Sequence, residues 1–174
     1  DGTILAFGEA GYNKNGEYSG VVKVYEKSVR FSWYTQIGSD IFGVKSNDYS
    51  GISVSLSDDG TKVAIGGKSN SINGVLSDDV RVYENKNDVW IEIGNINEGN
   101  LRGNSIGNSV SLSSDGSVMA IGTSYGDGNG FRSGGVKIYN NINGVWTQIG
   151  NQISGDNNLD SAGGAISLNS DGSI

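Results

Sequence analysis

The chain has 174 residues with no Cys, no His and no Pro, 29 Gly, and a formal net charge of −7 at pH 7. Those absences remove a disulfide framework, a thiolate nucleophile, the usual general base and the commonest transition-metal ligand. The acidic balance argues against a nucleic-acid or anionic-membrane partner, and no apolar run approaches the roughly 20 residues that insert across a bilayer.

In chain order, residues 1–51 read as three strands, here termed b, c and d. An apolar stretch beginning at Thr3 carries Ala6 and Gly8, "VKVY" ends at Tyr25, and "YTQIG" carries Ile37. Residues 52–108 form the first full period. Strand a is "SVSLS" at 53–57, where Val54 and Leu56 alternate with serines, the period-two mark of a half-buried strand. A "DDG" turn follows, in which Gly60 accepts positive φ without a Cβ penalty. Strand b, "KVAIGG", is apolar and small, so it reads as buried on both faces. A polar loop leads to strand c, "VRVYEN", and a short turn to strand d, "VWIEIGN". Residues 109–164 repeat the same order with an Asn143-Gly144 hairpin turn, and 165–174 begin it again with "AISLNSDGSI".

The repeat is read from several markers at once. Gly2, Gly60, Gly116 and Gly172 are spaced by 58, 56 and 56 residues. Tyr25, Tyr83 and Tyr139 keep the phase, and so do Ile37, Ile93 and Ile149. On that alignment Tyr34 takes the place of Trp90 and Trp146, whose recurrence on strand d marks packing side chains. Val54, Leu56, Val63, Ile65, Val80, Val82, Ile93 and their equivalents form the expected core.

Four antiparallel strands in about 56 residues, repeated, predict an all-β protein of propeller blades. The expected content is strands b–d of one blade, two full blades, and a lone strand a. Three blades are too few to close a ring of the usual 4–8. The expectation is therefore a segment of something longer, with further blades or other copies of the chain adding strands at its ends, up to a filament.

The order "GNSVSLSSDGSVMAIG" (107–122), "SGGVKIY" (133–139) and "NGVWTQIG" (143–150), with "AFGEAGYNKNGEYSGVVKVY" (6–25), resembles FG-GAP repeats, the blades of integrin-α-like propellers. The resemblance covers the whole chain. It implies an extracellular or cell-surface protein that adheres, binds glycans or builds matrix. The family's acidic calcium loop does not match the a–b turns, which offer only Asp58-Asp59, Ser114-Asp115 or Ser170-Asp171, too few oxygens for an ion that takes 6–8.

Two sets of residues are candidates for binding. In "GDNNLDSAGG", Asp156, Asn158 and Asp160 stand at i, i+2 and i+4, a spacing that lets a tight loop offer oxygens to calcium. The competing reading, an ordinary Asx-rich turn, is favoured because Asp156 aligns with Val44 and Asn100. The b–c loops carry Tyr12, Tyr18, Tyr125, Asp127, Phe131 and Arg132, whose aromatic faces and planar polar groups suit a glycan or protein ligand. The middle loop, "GKSNSINGVLSDD", belongs to the same set. The expected function is a non-catalytic structural or adhesive module. A lectin-like propeller, with or without calcium, is the alternative, and a carboxylate hydrolase is a distant third.

Overall fold

A computed structural model describes residues 2–28, 33–68, 79–97 and 106–173. All regular structure among them is β, in three four-stranded antiparallel sheets that follow one another along the chain. Sheet one holds β1 (Ile4–Glu9), β2 (Val21–Lys27), β3 (Tyr34–Gln36) and β4 (Ile41–Phe42). Sheet two holds β5 (Ser53–Leu56), β6 (Lys62–Gly66), β7 (Asp79–Lys86) and β8 (Val89–Asn97). Sheet three holds β9 (Ser109–Leu112), β10 (Val118–Gly122), β11 (Gly135–Ile142) and β12 (Val145–Ser154). In sheets two and three each strand pairs with its sequence neighbour, as the repeat predicts.

The fourth strand departs from the simple pattern. The ladder slips between Val82 and Tyr83 in sheet two, and between Val136 and Ile138 in sheet three. At the same place sheet one breaks into β3 and β4, with left-handed Gly38 (φ 67) between them. Both pieces still pair with β2, through Tyr25↔Gln36 and Val22↔Ile41. The expected burial is incomplete on this strand: Ile93 is only half-buried, packed at the margin of the core between sheets two and three, and Ile149 is exposed in an open groove beside Ile138 and Ile153. Val54 and Leu56 are also only half-buried, whereas Val63, Ile65, Val80 and Val82 are fully buried.

The sheets pack face to face. Val22 and Ile41 of sheet one meet Val63 and Ile65 of sheet two, flanked by Ala6, Val54, Leu56, Tyr83 and Trp90. Val80, Val82 and Ile96 of sheet two then meet Val110, Leu112, Met119 and Ile121 of sheet three. Period-two alternation produces this. Ala64 points one way while Val63 and Ile65 point the other, so one strand serves two interfaces.

Polar residues of the repeat tie the sheets together. Ser55 Oγ accepts from Leu112 N at 3.0 Å, and Ser111 Oγ accepts from Leu168 N at 2.9 Å. Ser53 and Ser109 donate to the carbonyls of Gly107 and Gly163, each at 2.7 Å. Those carbonyls press against Gly66 and Gly122, where a Cβ would not fit. Trp90 lies on Gly38 and donates its indole N–H to Ile37 O at 3.0 Å, while Trp146 lies on Gly94. Residues 165–173, expected as a lone strand a, form no ladder, yet Leu168 is held by Ser111 as Leu112 is by Ser55.

Candidate functional site

The b–c loop of each outer sheet lies beside the loop that leaves its fourth strand. In sheet one, Asn47 N donates to Glu17 O at 2.7 Å and Tyr49 N to Tyr18 O at 2.9 Å. In sheet three, Leu159 N donates to Phe131 O at 2.9 Å and Ser161 N to Arg132 O at 3.2 Å. Short parallel bridges, Gly20↔Ser50 and Gly134↔Ala162, close each pair. Three non-glycine residues take the left-handed conformation at matching places: Tyr18, Asn47 and Tyr49 in one, Arg132, Leu159 and Ser161 in the other. Each such residue costs on the order of 1–2 kcal/mol. Local side chains offset that cost. Asn13 Oδ1 accepts from Tyr18 N at 2.7 Å, and Asp127 Oδ1 accepts from Arg132 N at 2.8 Å. The middle loop named from sequence falls largely at 69–78, and the aligned Asn100 at 98–105, outside the described residues.

This construction sets the exposed side chains. Tyr18 stacks on Tyr49, with centroids 5.3 Å apart and planes 7° from parallel. Tyr12 sits against Phe42 at 6.0 Å, with Lys14 Nζ 3.7 Å above the Phe42 ring. On sheet three, Arg132 lies over Tyr125 at 5.6 Å and over Phe131 at 5.2 Å. Lys68 of sheet two reaches the same Tyr125 ring at 4.9 Å. So Tyr125, Phe131 and Arg132 are brought together within one loop, and Lys68 joins them across a sheet boundary, within the range of cation–π attraction. Tyr12 and Tyr18 stand in the other loop pair. Asp127 is engaged as a backbone cap.

The residues of the calcium reading serve the loop itself. Asn158 Oδ1 accepts from Phe131 N at 2.8 Å, and Asp160 Oδ2 accepts from Asn157 N at 2.7 Å. Asp156 is exposed. Among the described residues no three His, Cys, Asp or Glu side chains are grouped to hold a metal ion.

Sequence reasoning missed a buried ion triad. Arg81 donates to Asp48 Oδ2 at 3.2 Å and, through its other terminal nitrogen, to Asp79 Oδ2. Asp48 also accepts from Val44 N at 2.9 Å, and its second oxygen is buried without a hydrogen-bond partner. Burial raises the Asp79 pKa against the opposing pull of Arg81, while the Arg81 pKa is raised by Asp79 and Asp48 against the effect of its burial. The triad joins the loop of sheet one to the third strand of sheet two, and Asp48 O accepts from Lys68 N at 2.9 Å, fixing the backbone of Lys68. Asp48 and Arg81 are 33 residues apart in different repeats, so no local pattern announces the pair.

The turn carboxylates are structural. Asp115 Oδ1 accepts from Ser117 N, Ser117 Oγ and Ser113 Oγ at 2.7–2.9 Å, which holds its pKa down at about 2. Asp59 is held the same way by Thr61 and Ser57. No protein-family model matches the sequence, and no curated protein shows significant similarity to it.

Proposed function

We propose that the three sheets are successive blades of an FG-GAP-like β-propeller, and that the chain is a non-catalytic, extracellular structural or adhesive module. One observation carries this reading. The polar residues that recur with the period (strand-a serines, turn aspartates) are engaged in joining or capping the sheets, while the loops on one side of the stack present aromatic rings. The strand-a residues of neighbouring sheets touch through Ser55–Leu112 and Ser111–Leu168, which fits strands lining an axis. The carboxylates brought closest to a common partner, Asp48 and Asp79, are buried on Arg81 and have no open side for a substrate. The test is a broad hydrolase and transferase screen run beside a cell- and matrix-binding assay. Binding without turnover is expected. Reproducible turnover abolished by one Asp or Glu substitution would overturn the reading.

A specific observation also favours glycan binding. Lys68 and Arg132 flank the Tyr125 ring, and Phe131 is exposed beside it. A ring face for stacking next to two cations suits a sugar that carries a carboxylate or sulfate. A glycan array should then show acidic glycans retained by the wild-type chain and lost in a Tyr125→Ala, Arg132→Ala variant. Equal retention by that variant excludes this patch.

A further inference from the structure

Tyr18 and Tyr49 hold an arrangement that the loop scaffold does not require. Both take left-handed backbone, at φ 54 and φ 47, an outlier for a bulky side chain. The same construction in sheet three carries Arg132 and Ser161 at the two matching places, with the same backbone bond between them. Two tyrosines are therefore a choice made in sheet one alone. Backbone held in such a region is found where the surroundings over-determine it, and often where the side chain has work to do. Here Asn13 Oδ1 holds Tyr18 N at 2.7 Å, and Tyr18 O holds Tyr49 N at 2.9 Å. The rings are stacked as a result, 5.3 Å between centroids and 7° from parallel. Ring carbons in contact stand about 3.5–4 Å apart, so a parallel pair at that separation is slid sideways, the edge of one ring over the face of the other.

We propose that Tyr18 and Tyr49 are a site of oxidative cross-linking, joined as dityrosine by hydrogen peroxide turned over by a peroxidase. Each phenol gives up one electron and one proton, and the peroxide takes both pairs to become two waters. The two phenoxyl radicals then couple, forming one bond between the ring carbons next to the oxygens. The hydrogen on each joined carbon moves to its oxygen and restores the two phenols. Nothing leaves the protein but two hydrogen atoms. The chain offers the oxidant no thiol, and its one Met, Met119, is fully buried, so accessible aromatic rings are its targets. Tyr18 is 40% exposed, which admits the oxidant, and Tyr49 lies against it as the ready partner. Tyr12 and Tyr125 are also exposed, but Tyr12 faces Phe42, and Tyr125 faces Lys68 and Arg132. The link would close a covalent loop from 18 to 49 in a chain without Cys, tying the b–c loop of sheet one to the loop that leaves its fourth strand. Such a closure restricts the unfolded chain as a disulfide does.

The test is to treat the dilute, folded chain with a haem peroxidase and limiting hydrogen peroxide. The expected product is a monomer lighter by two hydrogen atoms, with the blue fluorescence of dityrosine and a proteolytic fragment that joins Tyr18 to Tyr49. It should unfold at a higher urea midpoint than the untreated chain. Tyr18→Phe and Tyr49→Phe keep the ring and remove the phenol, so each should abolish the link, while Tyr12→Phe and Tyr125→Phe should leave its yield unchanged. Coupling only between chains, peroxide consumed with no link between 18 and 49, or a full yield of cross-linked monomer from Tyr49→Phe would overturn the proposal. Its failure leaves the module and glycan readings to their own assays, since neither needs the cross-link.

Discussion

Gly66→Ala isolates what holds the sheets at their spacing. Gly66 ends β6, has no left-handed φ, and faces the backbone of the loop before β9. A Cβ there would stand 2.9 Å from the Gly107 carbonyl carbon and closer still to its oxygen. The obstacle is backbone and cannot rotate aside, so sheets two and three must separate locally. Overpacking of this kind costs about 1–3 kcal/mol. The same methyl group crowds Ser53 Oγ, whose 2.7 Å bond to Gly107 O would be lost, adding about 1 kcal/mol. The expected loss is about 2–4 kcal/mol, read as a lower urea midpoint with an unchanged slope. Gly144→Ala is the control. It has open space and a φ of 87, so it bears only left-handed strain of about 1–2 kcal/mol. A Gly66→Ala loss no larger than that of the control would refute close backbone contact as the spacer between sheets.

Arg81→Met leaves Asp48 and Asp79 buried without their cation and should cost about 3–5 kcal/mol at pH 7. Burial already raises the Asp79 pKa, so the neutral carboxyl is the better tolerated form, and the deficit should shrink as the pH is lowered. A pH-independent deficit in urea melts contradicts this. Asp115 has the opposite sign. Its folded pKa is depressed to about 2, so its contribution is full above the unfolded value of about 3.9 and is lost as the pH falls through the folded one. Asp115→Asn should flatten the acid limb of the stability curve between those values, and a limb parallel to wild type counts against the cap. Leu112→Ala, at the sheet two–three interface, should cost about 2–5 kcal/mol by thermal or urea melts, and a loss under 1 kcal/mol would deny that this interface is a packed core.

Much of the fold was legible because each repeat writes its packing into local pattern. Val54 and Leu56 alternating with serines mark a strand with one apolar face, and the recurrence of Tyr83 and Tyr139 fixes the period. The serines read only as the polar side of that strand, since their bonds to Leu112 N and Leu168 N come from the next repeat. The break at Gly38 was hidden because "YTQIG" and "WTQIG" look alike, and the ladder responds to residues on both sides of them. Among the binding candidates, loop placement exposed Tyr125, Phe131 and Arg132, but their convergence with Lys68 depends on sheet two approaching sheet three. Asp127 and Asn158 read as ligands by residue type. The structure uses them to satisfy backbone N–H groups of left-handed loops, which residue spacing does not reveal.

The central claim is that successive sheets are joined by one repeated contact along strand a. Native-state hydrogen exchange tests it at two amides, Leu112 N and Leu168 N, each donating to a serine hydroxyl one repeat earlier. Both should be protected in the wild-type chain. Ser55→Ala should release Leu112 while leaving Leu168 slow, and Ser111→Ala should do the reverse. Exchange of both amides at unprotected rates in the folded wild-type chain would contradict the account.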